Sequence, residues 1–201
     1  MFGASTGWLH ALRQILPGLG ADLPWTVLVV VHGSIDMGQQ LCGVVAPHSP
    51  IPVHEAHDAA ELGRGVYLAP MGKSIRIRQA DDGRAVFALG GDPGPFSFAP
   101  SVDMAMASAA RVFGSRVVAA VLSGLSVEKD GVVGTFAVKA RGGVTIAQDI
   151  ATARASGMPA AAIDAGNIDY VLPAAKIGTT IHGLVLSRAT KTLGIPPARG
   201  G

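Results

Sequence analysis

Two uninterrupted apolar runs, Val27–Val31 and Val117–Leu122, constrain the fold of this chain more than any other feature. A strand with one wet face alternates polar and apolar side chains. A strand lacking that alternation is buried on both faces, as in a parallel sheet sandwiched between helices. Pro24 and Gly33 bound the first run, and Ser123-Gly124 ends the second. Val144–Ala147, Tyr170–Leu172 and a stub at Met1–Ala4 read as further strands. Between them lie Ala-rich stretches with helical character: Trp8–Leu16, Asp36–Val45, Ser101–Phe113, Val132–Ala140, Ala160–Ala165 and Ala174–Leu186. Ser101 carries a start signal for its helix, because a hydroxyl there can accept from the free amides of the first turn. The alternation predicts an α/β fold, a doubly wound, mostly parallel sheet with helices on both faces.

One stretch breaks the pattern. Val66–Leu68, Ile75–Arg78 and Ala85–Leu89 are short, and Ile75–Arg78 alternates apolar with charged residues. Asp81-Asp82-Gly83 reads as a tight turn. A small antiparallel hairpin at one edge of the sheet is therefore expected. Gly90–Pro100, dense in Gly and Pro, reads as a loop. No repeat or linker divides the 201 residues, so a single domain over residues 1–201 is the expectation.

Composition removes several classes. Charged residues make up only 15% and the net charge is +2 with no basic run, so a nucleic-acid-binding surface is not expected. The longest apolar runs fall far short of the roughly 18 residues of a spanning helix. The segment MFGASTGWLH lacks the charged start and apolar core of a signal peptide. A soluble cytoplasmic protein without membrane insertion is the expectation. Cys42, the only cysteine, excludes a cysteine cluster and reads as a small packed side chain. His48, His54 and His57 read as loop residues rather than a metal site, and His10 as a surface residue. No cofactor or metal is expected.

Ligands of doubly wound sheets sit at the carboxyl ends of the strands. Ser5 follows the first strand, His32 the second, and the loop after Val117–Leu122 carries Glu128 and Asp130. Serine, imidazole and carboxylate are the groups of a serine hydrolase: the imidazole takes the hydroxyl proton, and the carboxylate orients it and stabilises its cation. Gly3-Ala4-Ser5-Thr6-Gly7 also fits G-x-S-x-G, a turn that presents a nucleophile before a helix whose amides favour an oxyanion. The same turn is compatible with phosphate binding, but the G-x-G-x-x-G fingerprint and its later acid are missing. Asp103 reads as a helix-start carboxylate satisfying free amides there.

Further blocks follow in order: Val30-Val31-His32, Pro100-Ser101-Val102-Asp103, Leu122-Ser123-Gly124-Leu125, Asp130-Gly131, Thr145-Ile146-Ala147-Gln148-Asp149 and Gly157-Met158-Pro159. Together with the Ser5 turn they resemble the catalytic domain of the chemotaxis receptor methylesterases, the CheB family, over roughly Met1 to Leu186. The resemblance implies a hydrolase of glutamate methyl esters, and a deamidase of certain glutamines, on the cytoplasmic domains of methyl-accepting chemoreceptors. It implies Ser5 as nucleophile, His32 as general base and Asp130 as orienting carboxylate. Thr6 and Leu125 match positions lining the oxyanion site. The family's usual receiver domain has no counterpart here, which leaves a separate receiver domain as a candidate partner.

The chain departs from the family at several points. Trp8 stands where a glycine is usual, Gly33 where methionine follows the histidine, and Phe98-Ala99 where His-Arg precedes Pro-Ser-Val-Asp. The stretch Gly124–Gly131 is two residues longer than Gly-Met-Gly-x-Asp-Gly, which makes Glu128 the alternative acid. These changes motivate a second expectation, a catalytically weak or inactive binding module that keeps the fold.

Overall fold

The computed structural model describes residues 1–22, 24–33, 40–90, 100–125 and 130–192. Its centre is a seven-stranded, wholly parallel sheet in the order β3-β4-β2-β1-β7-β8-β9. The strands are β1 (Phe2–Ala4), β2 (Thr26–Val31), β3 (Val53–Glu55), β4 (Gly65–Leu68), β7 (Val118–Val121), β8 (Val144–Gln148) and β9 (Tyr170–Leu172). Helices α1 (Trp8–Ile15), α2 (Leu41–Val45) and α6 (Ala174–Thr192) cover one face; α3 (Val102–Phe113), α4 (Val132–Ala140) and α5 (Gly157–Asp164) cover the other.

The apolar runs are explained by this double cover. Val27, Val29 and Val31 pack with Leu12, Ile15 and Ile177, while Leu28 and Val30 turn to the opposite layer with Val102, Ala105 and Met106. Period-two alternation thus persists in β2, but both sides meet a hydrophobic layer, so no polar residue marks it.

The antiparallel pair β5 (Ser74–Gln79) and β6 (Ala85–Gly90) forms, with its Asp81-Asp82-Gly83 turn between. It makes a separate two-stranded sheet rather than extending the large one. Ile75, Ile77 and Phe87 bury one face in the α3 layer, and the Ile77 amide donates to Ser108 Oγ of α3 at 2.9 Å. Arg76 and Arg78 point to solvent, so hydrophobic burial sets its position on the helix.

Several assignments differ from the expectation. Val66–Leu68 belongs to β4, a parallel strand between β2 and β3, not to the antiparallel stretch. Strand β3 was unanticipated: Val53-His54-Glu55 is a short polar edge strand. Helix α5 starts at Gly157, earlier than Ala160, because Pro159 lies in its first turn, where a missing amide costs nothing. The described part of the helix expected from Asp36 runs Leu41–Val45. Among the described residues, no helix is long and apolar enough to cross a membrane.

Candidate functional site

The sheet order puts β1 between β2 and β7, so the chain leaves β1 in opposite directions on either side. Such a switch point opens a crevice at the carboxyl ends of the strands. Three backbone bonds tie the ends together: His32 N to Ala4 O at 3.0 Å, Leu122 N to Gly3 O at 2.8 Å, and Ser5 N to Ser123 O at 2.9 Å. Ala4 pairs with Val31, so Ser5 and His32 are the next positions in register. Successive side chains alternate faces. Ala4 and Val31 face the α1 layer, so Ser5 and His32 project toward the α3 layer.

The turn carrying Ser5 is clamped from below. Gly7 adopts φ 87°, a left-handed conformation that favours glycine, and a Cβ there would lie 2.5 Å from Ser123 Oγ. Ser123 is 1% exposed. Its hydroxyl donates to Thr6 O at 2.7 Å and accepts from Ala155 N at 2.9 Å, and its amide donates to Gln148 Oε1 at 2.9 Å. Gly124 follows; a side chain there would strike Met158 and come within 3.0 Å of Ser5 Cβ. Among the described residues, the Thr6 and Leu125 amides make no hydrogen bond. Thr6 is exposed, and Leu125 is 56% exposed.

His32 meets Asp130 through Nε2, 2.8 Å from Asp130 Oδ2. Asp130 is 8% exposed yet well satisfied. It also accepts from Val102 N at 2.7 Å, Asp103 N at 2.7 Å and Ser101 Oγ at 3.2 Å. Burial alone would raise its carboxyl. The His32 bond and the Asp103 and Val102 amides outweigh burial and hold it below the usual carboxylate range. An ionised carboxylate only accepts, so Nε2 carries the proton donated to it, and in the neutral ring the lone pair lies on Nδ1. Asp130 is thereby also the anion at the N-terminus of α3, where the helix dipole favours it.

The structure therefore joins His32 to Asp130 and aligns Ser5 beside His32 in register. Glu128, Phe98 and Ala99 lie outside the described residues. Trp8 is half-buried, packed on the core beneath the α1 layer, and Gly33 is exposed. Ser101 caps α3 as expected, accepting from Met104 N. Asp103 differs: its side chain caps not its own helix but α4, accepting from Gly131 N at 2.8 Å and Gly134 N at 2.6 Å. A carboxylate in the first turn can serve a neighbouring helix when the two N-termini meet, and no local pattern reveals this. Ser123 and Gln148 were legible as parts of motifs, but not as the clamp. Among the other histidines, His48 accepts from Arg13 Nε at 2.9 Å and His54 stacks against Tyr67. His10 is half-buried rather than fully at the surface.

The family model for the CheB methylesterase matches residues 1–181. A protein-glutamate methylesterase/protein-glutamine glutaminase of Carboxydothermus hydrogenoformans is 40% identical over 183 residues, covering 90% of this chain and 53% of that protein. Its counterpart in Archaeoglobus fulgidus is 36% identical over 182 residues, 90% of this chain and 51% of the other. The chain thus spans about half the length of these curated relatives. The crystal structure of the Thermotoga maritima CheB methylesterase catalytic domain superimposes with a TM-score of 0.86 at 35% identity, covering 92% of this chain and 96% of that one.

Proposed function

The chain belongs to the CheB methylesterase family, and on that footing we propose that it hydrolyses glutamate methyl esters on the cytoplasmic domains of chemoreceptors, with Ser5, His32 and Asp130 as its catalytic residues. The observation that carries this reading is the His32–Asp130 hydrogen bond of 2.8 Å, one strand away from the Ser5 turn. Ser5 Oγ attacks the ester carbonyl carbon while His32 Nδ1 takes its proton. Asp130 accepts from Nε2 throughout and stabilises the imidazolium. The oxyanion is received by the Thr6 and Leu125 amides, aided by the N-terminus of α1 behind them. Collapse breaks the bond to the methoxy oxygen, which leaves as methanol with the proton from His32. Water, deprotonated by the same ring, then attacks the acyl-serine; the bond to Ser5 Oγ breaks, Oγ takes the proton back from His32, and a glutamate carboxylate is released. A glutamine side chain follows the same course with ammonia leaving.

The site needs no cofactor for these steps, and the reaction belongs in the cytoplasm, where the receptor substrate lies. A methylated receptor fragment incubated with the protein releases methanol, and Ser5→Ala abolishes the release. Equal release by both proteins would defeat the reading. The departures at Trp8 and Phe98-Ala99 and the longer stretch Gly124–Gly131 favour one alternative, a receptor-binding module without turnover; it predicts binding of the same fragment with no methanol from either protein.

A further inference from the structure

One half-buried carboxylate beside the site has no part in the scheme above. Asp103 stands in the first turn of α3, and it touches Asp130 from both ends. Its own amide donates to Asp130 Oδ1 at 2.7 Å. Its side-chain Oδ1 accepts from Gly131 N, the peptide that follows Asp130, at 2.8 Å, and from Gly134 N at 2.6 Å. The two helices thus exchange caps: Asp130 serves the N-terminus of α3, and Asp103 serves that of α4. Gly134 makes the exchange possible, because a Cβ there would lie 2.7 Å from Met106 Cβ and 3.1 Å from Asp103 Oδ1.

The exchange has a geometric effect on the triad acid. Gly131, at φ 105°, is the hinge on which Asp130 enters α4. Holding the Gly131 amide fixes the backbone of Asp130, and the Asp103 amide fixes the plane of its carboxylate. With both fixed, Oδ2 is left facing His32 Nε2. The device is not cheap. Burial pushes the Asp103 carboxyl up to about 6 against the pull of the Gly134 amide, and the Asp130 charge adds to the rise. Selection for stability alone would favour a neutral acceptor in this place, and costly local choices cluster at functional sites.

We propose that Asp103 is a positioning residue of the hydrolytic site: by gripping the Gly131 and Gly134 amides it sets the angle at which Asp130 meets His32. The proposal rests on the esterase reading, and its test separates the two. Asp103→Asn and Asp103→Ala are prepared in the full chain, with kcat and KM measured from methanol release on a methylated receptor fragment. Urea unfolding of each variant is recorded alongside. Asp103→Ala lowers kcat by about 10–100-fold, the scale of a misplaced catalytic group, with KM changed by less than about twofold. Asp103→Asn keeps an acceptor oxygen and recovers a large part of that loss. A purely structural role would instead shift the urea midpoint and leave kcat per folded molecule intact. Unchanged kcat in both variants, or a loss confined to KM, overturns the proposal while the esterase reading stands. If the wild type releases no methanol and an organophosphonate fluoride fails to label Ser5, the esterase reading falls and the proposal falls with it.

Discussion

Two aspartates at the meeting N-termini of α3 and α4 respond to acid in opposite ways, because their surroundings differ. Asp130 is held below the usual carboxylate range by its donors, so the stability it contributes is present above its unfolded pKa of about 3.9 and is lost as pH falls through its folded value. Asp103 has been raised to about 6. Between about pH 4 and its folded value the native state binds more protons than the unfolded chain, so this component weakens the protein as pH rises. Asp103→Asn removes that component alone. Its unfolding free energy relative to wild type therefore increases between pH 4.5 and pH 7 in urea titrations, even where kcat falls. A relative free energy that decreases over this interval would refute the assignment. The local sequence showed Ser5 and His32 because each ends a legible strand. It did not show the exchange of caps, since the partner amides of Asp103 lie on another helix and their approach depends on Gly134.

At the scale of elements, the hairpin β5–β6 and helix α3 test how one buried hydroxyl joins two pieces. Ser108 is 3% exposed; its Oγ accepts from the Ile77 amide and donates to Ala105 O at 2.8 Å. Ser108→Ala leaves the Ile77 amide buried without its partner, an omission costing about 1–3 kcal/mol. Urea unfolding should register that loss, while methanol release per folded molecule stays near wild type, because the bond is remote from Ser5. A variant as stable as wild type would show that water or a shifted strand replaces the bond. The hairpin itself was readable from Asp81-Asp82-Gly83 and from the alternation of Ile75–Arg78. Its place was not, because strand pairing with the large sheet and burial against α3 use the same alternating pattern. Strand β3 is illegible in the sequence for the converse reason. It lies at an edge, pairs with β4 alone, and leaves His54 and Glu55 exposed, so Val53 is its single apolar mark.

The large parallel sheet lies between two hydrophobic layers, and its stability should be graded from centre to edge. Strands β2, β1 and β7 have neighbours on both sides and are buried throughout most of their length. Strands β3 and β9 each have one neighbour and are largely exposed. Native-state hydrogen exchange therefore gives the slowest amides in β2 and β7 and the fastest in β3 and β9. Uniform protection across the sheet would contradict this grading. The clamp under the Ser5 turn has a kinetic consequence of its own. Ser123 and Thr6 are 117 residues apart, and the β1–β7 pairing that brings them together closes a loop of similar size. Contacts this distant along the chain form late and slowly, because the entropy of closure is lost before the contacts reward it. A chain that has paired only β2, β4 and β3 still lacks the hydroxyl that holds the Ser5 turn, because Ser123 reaches Thr6 only once β1 and β7 have paired.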